Sequence, residues 1–437
     1  MAKHEDDQPD DGVLMSDLIG GELIGRLPIG RDSGHGGAGS DSGGDDSGTP
    51  TPDLTRHGIR FDRRVHAVDD LGWRPDGDEL IDVPEEDGLL IEVPKGDYLT
   101  GHNVFKDVER WGIVAPDKGV RFLPRTGRCT RAFHFSSNDP SDEILLEGLT
   151  FHQRNGLKAG LGVNATVRNK IEIHDCERTG RTPNRVTAGP PRGQEMIGLS
   201  VNVLNQNGRG RVVGWTDHCD TRVISYPGNA QGISVWQQSR GTVVIRDASI
   251  RNQGEHALYA SKAAAVEVHD STLVDNANTN IRIAGEGSFA KNCRIGYQRD
   301  ASYTDHHDEP GRKATKIARI EDSRKGASGG YLEDCELFCK TDGLQSAILV
   351  HVMGNTSGFV VRDSTIRNDS DMRGVVIDPE GSGWRGIEPP DDRPIEFINV
   401  DFKGSSANPP IDATRPGKVR MEGCSIDMPN ASGPRGV

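Results

Sequence analysis

This sequence of 437 residues has few hydrophobic and few aromatic side chains, which account for 33% and 5% of the chain. It contains no run of eighteen apolar residues, so we expect no insertion into a membrane. It opens MAKHEDD, without the basic and apolar regions of a secretion signal and without a twin arginine. We therefore expect no conventional secretion. An extracellular location would need another route, such as assembly into a particle released by lysis.

Lysine is scarce and aspartate abundant. The chain has 14 Lys against 38 Arg, 43 Asp against 23 Glu, and a net charge of −14. This balance is typical of proteins from extreme halophiles, where molar salt screens surface charges over a few ångströms. A GC-rich mesophilic genome is the alternative explanation. The acidic composition argues against a nucleic-acid partner, which would require a basic surface.

A short pattern recurs along most of the chain: an alternating apolar segment, then Asp, Asn or Gly, a small residue and another apolar residue. Three copies are aligned at Asp247, Asp270 and Asn292, which lie 23 and 22 residues apart. Copies occur at 144–151 (ILLEGLTF), 171–176 (IEIHDC), 243–250 (VVIRDASI), 266–273 (VEVHDSTL), 288–295 (SFAKNCRI), 331–337 (YLEDCEL), 359–366 (FVVRDSTI), 395–402 (IEFINVDF) and 419–426 (VRMEGCSI). A fixed period in the twenties indicates a solenoid.

Each copy alternates with period two and contains β-branched residues, which predicts a strand with one buried face. The leucine frame of a leucine-rich repeat is missing, so the pattern predicts an all-β, parallel β-helix of about 10–13 coils, whose coils stack at about 4.8 Å. The 72 residues from Asp175 to Asp247 leave room for about three coils. We interpret the repeated Asp and Asn as turn structure rather than as a catalytic row.

The seven cysteines do not indicate a disulfide framework, and Cys335 and Cys339 lack the spacing of a metal finger. Cys176, Cys293, Cys335 and Cys424 directly follow the repeated Asp, Asn or Gly. This position predicts small buried side chains inside the coils.

The N-terminal region has a composition of its own. Residues 1–30 form a candidate anchor, in which an apolar set suits a short amphipathic helix or peptide that docks on a partner; packing on the solenoid is the alternative. The anchor residues are Leu14, Met15, Leu18, Ile19, Leu23, Ile24 and Leu27. Residues 31–55 form a Gly/Ser/Asp-rich linker, flexible by composition. We assign 56–125 to the cap and first coils, 126–430 to the β-helix with inserted loops, and 431–437 to a tail.

The opening of the folded region carries a family resemblance. Segments 61–72 (FDRRVHAVDDLG), 75–79 (PDGDE) and 90–99 (LIEVPKGDYL) resemble the start of the pectin-lyase-like β-helices found in bacteriophage tailspikes and in halophilic archaea and their viruses. The resemblance covers about residues 56–430, and it implies a right-handed parallel β-helix. In that family a capping helix follows the Gly-Asp-Gly turn. Here Pro84 and Asp87 interrupt 80–88, so a turn is the alternative.

Three insertions break the period, at 178–194, 297–330 and 378–393. Loops that protrude from a solenoid are where binding usually occurs.

Two clusters of acidic residues and histidines are candidates for chemistry. Asp217, His218 and Asp220 lie near Arg222, but we favour a solvated turn over a catalytic site there. A metal site is the second candidate, although adjacent histidines in a strand cannot both face one ion. Its residues are Asp305, His306, Asp308 and Glu309. No motif identifies a cofactor, and bound divalent or monovalent cations remain open.

Sugar binding is better supported than catalysis, because aromatic rings that stack on sugars occur at turns and insertions. The alternative for each ring is simply to cover the flank of the solenoid. The candidate ligand-binding residues are Trp215, Tyr226, Trp236, Gln237, Arg240, Trp384 and Arg385.

These observations together favour a virion surface protein of a halophilic archaeal virus, either a capsid turret or spike or a tail fibre. It would bind other virion proteins through its N-terminal segment and attach to a host surface glycan or S-layer glycoprotein. We expect a homo-oligomer, a trimer or a pentamer. A polysaccharide lyase or glycoside hydrolase on the same scaffold is the first alternative, and a purely structural decoration protein is the second.

Overall fold

A computed structural model describes residues 54–106, 108–125, 130–136, 139–153, 161–181, 197–219, 231–261, 265–299, 316–322, 325–344, 347–382, 386–415 and 417–437. The N-terminal anchor and all but the last two residues of the linker lie outside these ranges. The described residues contain forty strands and no helix. Accordingly, none of them forms an apolar helix long enough to span a membrane.

The first twenty strands are β1 (Thr55–Arg56), β2 (Ile59–Arg60), β3 (Arg63–His66), β4 (Leu89–Glu92), β5 (Gly96–Thr100), β6 (Val104–Phe105), β7 (Arg110–Val114), β8 (Val120–Pro124), β9 (Thr130–Ser136), β10 (Glu143–Glu147), β11 (Leu149–Gln153), β12 (Leu161–Val167), β13 (Lys170–His174), β14 (Glu177–Gly180), β15 (Leu199–Val203), β16 (Arg209–Val213), β17 (Thr216–Asp217), β18 (Ile233–Ser234), β19 (Thr242–Arg246) and β20 (Ser249–Arg251). The remaining strands are β21 (His256–Tyr259), β22 (Ala265–His269), β23 (Thr272–Val274), β24 (Thr279–Ile283), β25 (Phe289–Lys291), β26 (Arg294–Tyr297), β27 (Lys316–Ile320), β28 (Ala327–Ser328), β29 (Tyr331–Glu333), β30 (Glu336–Cys339), β31 (Ile348–Val352), β32 (Thr356–Ser357), β33 (Val360–Arg362), β34 (Thr365–Asn368), β35 (Arg373–Ile377), β36 (Ile395–Ile398), β37 (Asp401–Lys403), β38 (Ile411–Ala413), β39 (Val419–Glu422) and β40 (Ser425–Asp427).

Three long sheets contain most of these strands. Sheet 1 has 13 strands in the order β3-β4-β7-β10-β13-β16-β19-β22-β25-β29-β33-β36-β39. Sheet 2 has 12 strands, from β5 and β8 through every following coil to β40, and sheet 3 has 11 strands, from β6 and β9 to β38. Within these sheets every neighbouring pair is parallel, as between β19 and β22.

Eleven coils contribute one strand to each sheet in turn, the first coil contributes only β3, and the last contributes only β39 and β40. The described residues therefore form a parallel β-helix of 13 coils, two of them incomplete, as the repeat predicts. Parallel crossovers are right-handed in about 98% of cases, which agrees with the pectin-lyase-like architecture. A two-stranded antiparallel hairpin, β1–β2, precedes the first coil. The capping helix is absent, and residues 80–88 form turns and a single bridge from Leu80 to Leu99.

The inward-facing residues form one continuous hydrophobic core. Successive coils stack like on like, for example Val243 on Val266 and Ile245 on Val268. The first coils instead contain aromatic rings, such as Phe105 and Phe135 stacked at 4.8 Å. These rows bury most of the large apolar side chains of the described residues and leave the outward rows free to vary.

The turn from sheet 1 to sheet 2 explains the repeated Asp and Asn. Asp175, Asp247, Asp270 and Asn292 have φ between 51° and 53°, and Gly214 has 69° at the corresponding position. Asn, Asp and Gly tolerate this left-handed region best, which is why they recur there. Asn292 Nδ2 also donates to Asp270 Oδ1 on the preceding coil at 2.8 Å. The interpretation as turn structure is confirmed.

The residue after this turn points into the core. Cys176, Cys293 and Cys335 are buried there, while Cys424 in the final coil is partly exposed. One spacing prediction is wrong: between Asp175 and Asp247 there is only one further strand of sheet 1, β16, and hence two coil lengths rather than three. Long connections around β14–β15 and β17–β18 take up the extra residues.

Candidate functional site

Trp215 was predicted to be an exposed ligand-binding ring, and the structure contradicts this. Its side chain is 0% exposed and belongs to the hydrophobic core, with its ring centroid 6.2 Å from that of Phe151. Trp215 follows Gly214 just as Cys176 follows Asp175, so it occupies the inward position after the left-handed turn residue. The ring fills the interior and is inaccessible to a sugar.

Asp217 is also inside the solenoid, so neither a solvated turn nor an accessible catalytic group describes it. It is fully buried and lies in register with Arg178 on β14 and Ile250 on β20. Arg178 Nε donates to Asp217 Oδ1 at 3.0 Å, and Gln253 Nε2 donates to the same oxygen at 3.0 Å. The insertion predicted from residue 178 therefore begins after β14, because Arg178 itself is a buried strand residue.

Trp236 lies on the outer side of sheet 3, directly after β18. Its side chain is half-buried, as is that of Gln237, while Arg240 is exposed. The Trp236 ring lies 5.3 Å from the ring of Tyr259, and its backbone N–H donates to Asn202 Oδ1 at 2.8 Å. A tilted aromatic pair is thus held in place on this face.

The other predicted site residues lie outside the described residues. They are the ligand-binding candidates Tyr226, Trp384 and Arg385, the metal candidates Asp305, His306, Asp308 and Glu309, and the anchor residues Leu14, Met15, Leu18, Ile19, Leu23, Ile24 and Leu27. Within the described ranges, no three His, Cys, Asp or Glu side chains are grouped so that they could hold a metal ion.

Sheet 3 has an outward row of polar and aromatic residues that sequence inspection missed. Strand register places Tyr259, Arg282, Arg319 and His351 next to one another on β21, β24, β27 and β31. The inward row one residue before them is Leu258, Ile281, Ala318 and Val350. Alternation therefore buries the aliphatic row and presents this polar row on the outer face.

Glu321 joins the row one position beyond β27. Arg282 Nε donates to its Oε1 at 2.5 Å, a second nitrogen of Arg282 contacts the same oxygen, and Arg319 Nε donates to its Oε2 at 2.9 Å. Burial alone would raise the pKa of Glu321, but the charges of Arg282 and Arg319 hold it at about 2. Glu321 is thus ionised at neutral pH and cannot serve as a proton donor.

His351 and Asp378 form a second pair on the same face. His351 Nε2 lies 2.9 Å from Asp378 Oδ2, and burial holds the pKa of His351 below its usual range against the opposing effect of Asp378. Burial would raise the pKa of Asp378, but its hydrogen bond to His351 keeps it low. Among the described residues, His351 Nδ1 is buried without a hydrogen-bond partner. A neutral imidazole fixed by a carboxylate can accept a proton at its other nitrogen.

We define the sheet-3 face as Trp236, Tyr259, Arg282, Arg319, Glu321, His351 and Asp378. The Arg282–Glu321 ion pair is buried, with side chains 10% and 1% exposed. Arg319 and Asp378 keep 22% and 25% of their side chains accessible. The Arg282 guanidinium lies 4.6 Å from the centre of the Tyr259 ring. Tyr259 and His351 are buried as well, at 4% and 7% exposure, so the groups of this face that have accessible surface are Arg319, Asp378 and the half-buried Trp236.

The insertions lie beside this face in the chain. The first insertion, after β14, falls between β14 and β15. The second was predicted too long, because 297–330 contains the regular strands β27 and β28, and only its part before β27 lies between β26 and β27. Both are connections from sheet 2 to sheet 3. The third falls between β35 and β36, where the chain leaves sheet 3 for sheet 1. The sequence therefore departs from its period where the chain enters or leaves sheet 3.

No protein-family model matches this chain, and no curated protein matches it. Among solved structures, the mannuronan C-5 epimerase AlgE6 A-module of Azotobacter vinelandii is 10% identical, with 77% of this chain and 90% of that chain covered and a TM-score of 0.48. The periplasmic alginate epimerase AlgG is 11% identical, with 85% of each chain covered and a TM-score of 0.44. The AlgE4 A-module of A. vinelandii is 12% identical, with 79% and 88% covered and a TM-score of 0.45. These likenesses say nothing about activity.

Proposed function

We propose that this protein binds a polysaccharide along the sheet-3 face. The observation that carries the proposal is the row from Tyr259 to His351, in which four consecutive coils place polar or aromatic side chains in register on the outer face and Arg319 keeps 22% of its side chain accessible. Sugars are recognised by aromatic surfaces flanked by planar hydrogen-bonding groups, and both are present here.

The rigidity of the row favours an extended ligand. Strand spacing fixes neighbouring side chains at about 4.8 Å, so that a run of four coils spans roughly the length of three or four sugar units. Glu321 holds Arg282 and Arg319 in place before any ligand arrives, which lowers the entropy cost of binding. The accessible edge of Arg319 and the half-buried Trp236 then supply the contacts.

We further propose that the chain is a surface protein of a halophilic archaeal virus and that the polysaccharide is a host surface glycan. The acidic, lysine-poor composition and the apolar segment before a Gly/Ser/Asp-rich linker support this placement. Residues 1–30 would bind other virion proteins, and several copies would assemble together.

The second candidate function is that of a polysaccharide lyase, which cleaves the chain by elimination, and one observation favours it. His351 is oriented by Asp378 and unpartnered at Nδ1, as a general base would be, and because Nδ1 is buried a substrate would have to open the face to reach it. A hydrolase is less well supported, because it needs a protonated carboxylic acid and Glu321 is held ionised. In the lyase, Arg319 would stabilise negative charge that develops as His351 removes a proton.

The test is to incubate the full chain with envelope polysaccharide from the host and to measure both retention and products. The binding proposal predicts retention without new reducing ends or unsaturated-uronate absorbance, and at least about tenfold weaker retention for Trp236→Ala, which removes a stacking contact. Tyr331→Ala, which changes a half-buried aromatic on sheet 1, should retain normal binding.

Three results would count against the binder. Product formation that is lost in His351→Gln would establish the lyase instead. No retention of any polysaccharide would leave a structural decoration protein, and equal retention by Trp236→Ala would place the bound polysaccharide away from the sheet-3 face. For the virion assignment, a chain without residues 1–30 should fold and bind glycan but fail to enter particles, and normal incorporation would refute the anchor.

A further inference from the structure

A second surface, on a different sheet, has the properties of a ligand site. A cavity of about 480 Å³ opens on the outer face of sheet 1, across β13, β16, β19 and β22. We call it the sheet-1 cavity. It forms because Val244 lies in register between Arg211 on one coil and Glu267 on the next, and its short side chain leaves a depression between the longer ones.

Four basic side chains surround this depression in a chain whose net charge is −14. Lys170 and Arg209 are neighbours in register on β13 and β16, and Arg211 and Arg246 lie on the following rows. A local excess of guanidinium groups in an acidic protein is unusual, and guanidinium groups match carboxylate, sulfate and phosphate oxygens in pairs.

Two of these arginines are available. Among the described residues the Arg209 side chain has no ion-pair or hydrogen-bond partner, and Arg211 comes no closer than 3.9 Å to a carboxylate, that of Glu172. Arg246 is paired with Asp270 at 2.8 Å, and Lys170 donates to the carbonyl of His57 at 2.8 Å. An incoming anion would therefore lie against the Arg209 guanidinium, which has no partner among the described residues, and the Arg211 guanidinium, which has only a long ion pair, beside two cations that already have close partners.

The carboxylates of the cavity narrow the class of ligand. Glu172 is buried, with His174 Nε2 2.8 Å from its Oε2, and Glu267 is partly exposed on the opposite side of Val244. A bare inorganic anion would be repelled by both, whereas hydroxyl groups would donate to them. The volume, too, is that of a small-molecule site rather than of a single oxyanion.

We propose that the sheet-1 cavity binds an acidic sugar residue, a sugar ring that carries a carboxylate or a sulfate or phosphate ester. Arg209 and Arg211 take the acidic group, and Glu172 and Glu267 accept hydrogen bonds from ring hydroxyls. This site is separate from the sheet-3 face and does not depend on the function proposed for that face.

The experiment is isothermal titration calorimetry of the full chain with glucuronate, glucose 6-sulfate, glucose 6-phosphate, glucose and sodium sulfate. At least one acidic sugar should bind at least about tenfold more tightly than glucose and sodium sulfate. Glucose lacks the acidic group that Arg209 and Arg211 would bind, and sulfate lacks the hydroxyl groups that Glu172 and Glu267 would bind. Which acid binds best identifies the ester or carboxylate.

Variants locate the site. Arg209→Ala combined with Arg211→Ala should weaken the affinity for the acidic sugar at least about tenfold. Glu267→Gln should reduce the ratio of the affinity for the acidic sugar to the affinity for sodium sulfate. Arg420→Ala, on the same sheet but paired with Glu396, should bind normally, as should Trp236→Ala on sheet 3. Because the Arg209 side chain has no ion-pair or hydrogen-bond partner in the described part of the chain, Arg209→Ala alone should unfold at the same temperature as the parent and still bind the acidic sugar more weakly.

The proposal is overturned if no acidic sugar binds, or if sodium sulfate binds as tightly as the best of them. It is also overturned if the Arg209/Arg211 double variant keeps its affinity, or if only Trp236→Ala loses it, since that would place the sugar on sheet 3.

Discussion

The contacts of Glu321 predict how much its carboxylate contributes to the free energy of unfolding, and how that contribution changes with pH. In the folded chain Arg282 and Arg319 hold its pKa at about 2, against an ordinary value of 4.5. A folded pKa below the unfolded one means that the carboxylate stabilises the fold above pH 4.5 and that this contribution is lost as pH falls toward 2. A shift of this size corresponds to about 3 kcal/mol, at 1.36 kcal/mol per unit.

The perturbation is Glu321→Gln, which keeps the shape of the side chain and removes its charge. We expect the variant to be less stable than the parent by about 3 kcal/mol at pH 6, because the buried Arg282 and the partly accessible Arg319 lose their shared counter-ion. The difference in free energy of unfolding should shrink as pH falls from 4.5 toward 2. The assay is urea unfolding followed by circular dichroism at a series of pH values.

Subtracting the variant from the parent removes the titration of all other carboxylates. Glu336→Gln is the matched control, because Glu336 pairs with Arg294 at 3.1 Å in an exposed setting and should contribute less than about 1 kcal/mol. A difference for Glu321→Gln that stays constant from pH 6 to pH 2.5 would refute the reasoning, as would an effect no larger than that of the control.

Three further perturbations test the interior and the turns. Asp217→Leu alone should destabilise the chain by about 3–5 kcal/mol by stranding Arg178, whereas combining it with Arg178→Met should recover most of the loss, as measured by a double-mutant cycle in urea. No recovery would mean that the ion pair is not the cause. Asp247→Val should lower the thermal unfolding midpoint and destabilise the fold by about 1–2 kcal/mol, because a β-branched residue disfavours the positive φ of this position. Asp247→Gly should leave the midpoint nearly unchanged. Equal effects of the two variants would contradict the turn assignment. Trp215→Ala should cost about 3–5 kcal/mol in urea yet leave polysaccharide affinity unchanged, and a binding defect in a folded variant would restore Trp215 as a ligand residue.

The repeat was predictable because it reports backbone geometry. Asp247, Asp270 and Asn292 recur at a nearly fixed spacing since each occupies the same left-handed turn position, and a solenoid repeats that position once per coil. The inward cysteines followed from the same alignment. Trp215 could have been placed by it as well, because Gly214 replaces Asp at the turn and the next residue always points inward.

The sheet-3 face was harder to find for a physical reason. Connections from sheet 2 to sheet 3 vary in length, so the distance from a turn Asp to Arg282, Arg319 or His351 is not constant along the chain. The only local signal is a polar residue between aliphatic ones, as in 281–283 (IRI), 318–320 (ARI) and 350–352 (VHV). Pairing across coils, which brings these residues together, depends on register and not on sequence distance.

Arg178 and Asp217 show a different limit. They are 39 residues apart, and each stands where neighbouring coils carry Phe151 or Ile250. Alternation assigns both positions to the core, but a charge at a core position is normally read as a break in the pattern. Only the structure shows that the two charges meet and neutralise one another.

The most direct test of the central claim is a structure of the full chain with a bound oligosaccharide prepared from the host envelope polysaccharide. We expect sugar rings lying along sheet 3, with one ring against Trp236 and an acidic or hydroxyl group on Arg319. An oligosaccharide bound elsewhere on the solenoid, with the sheet-3 face empty, would contradict the proposed binding site.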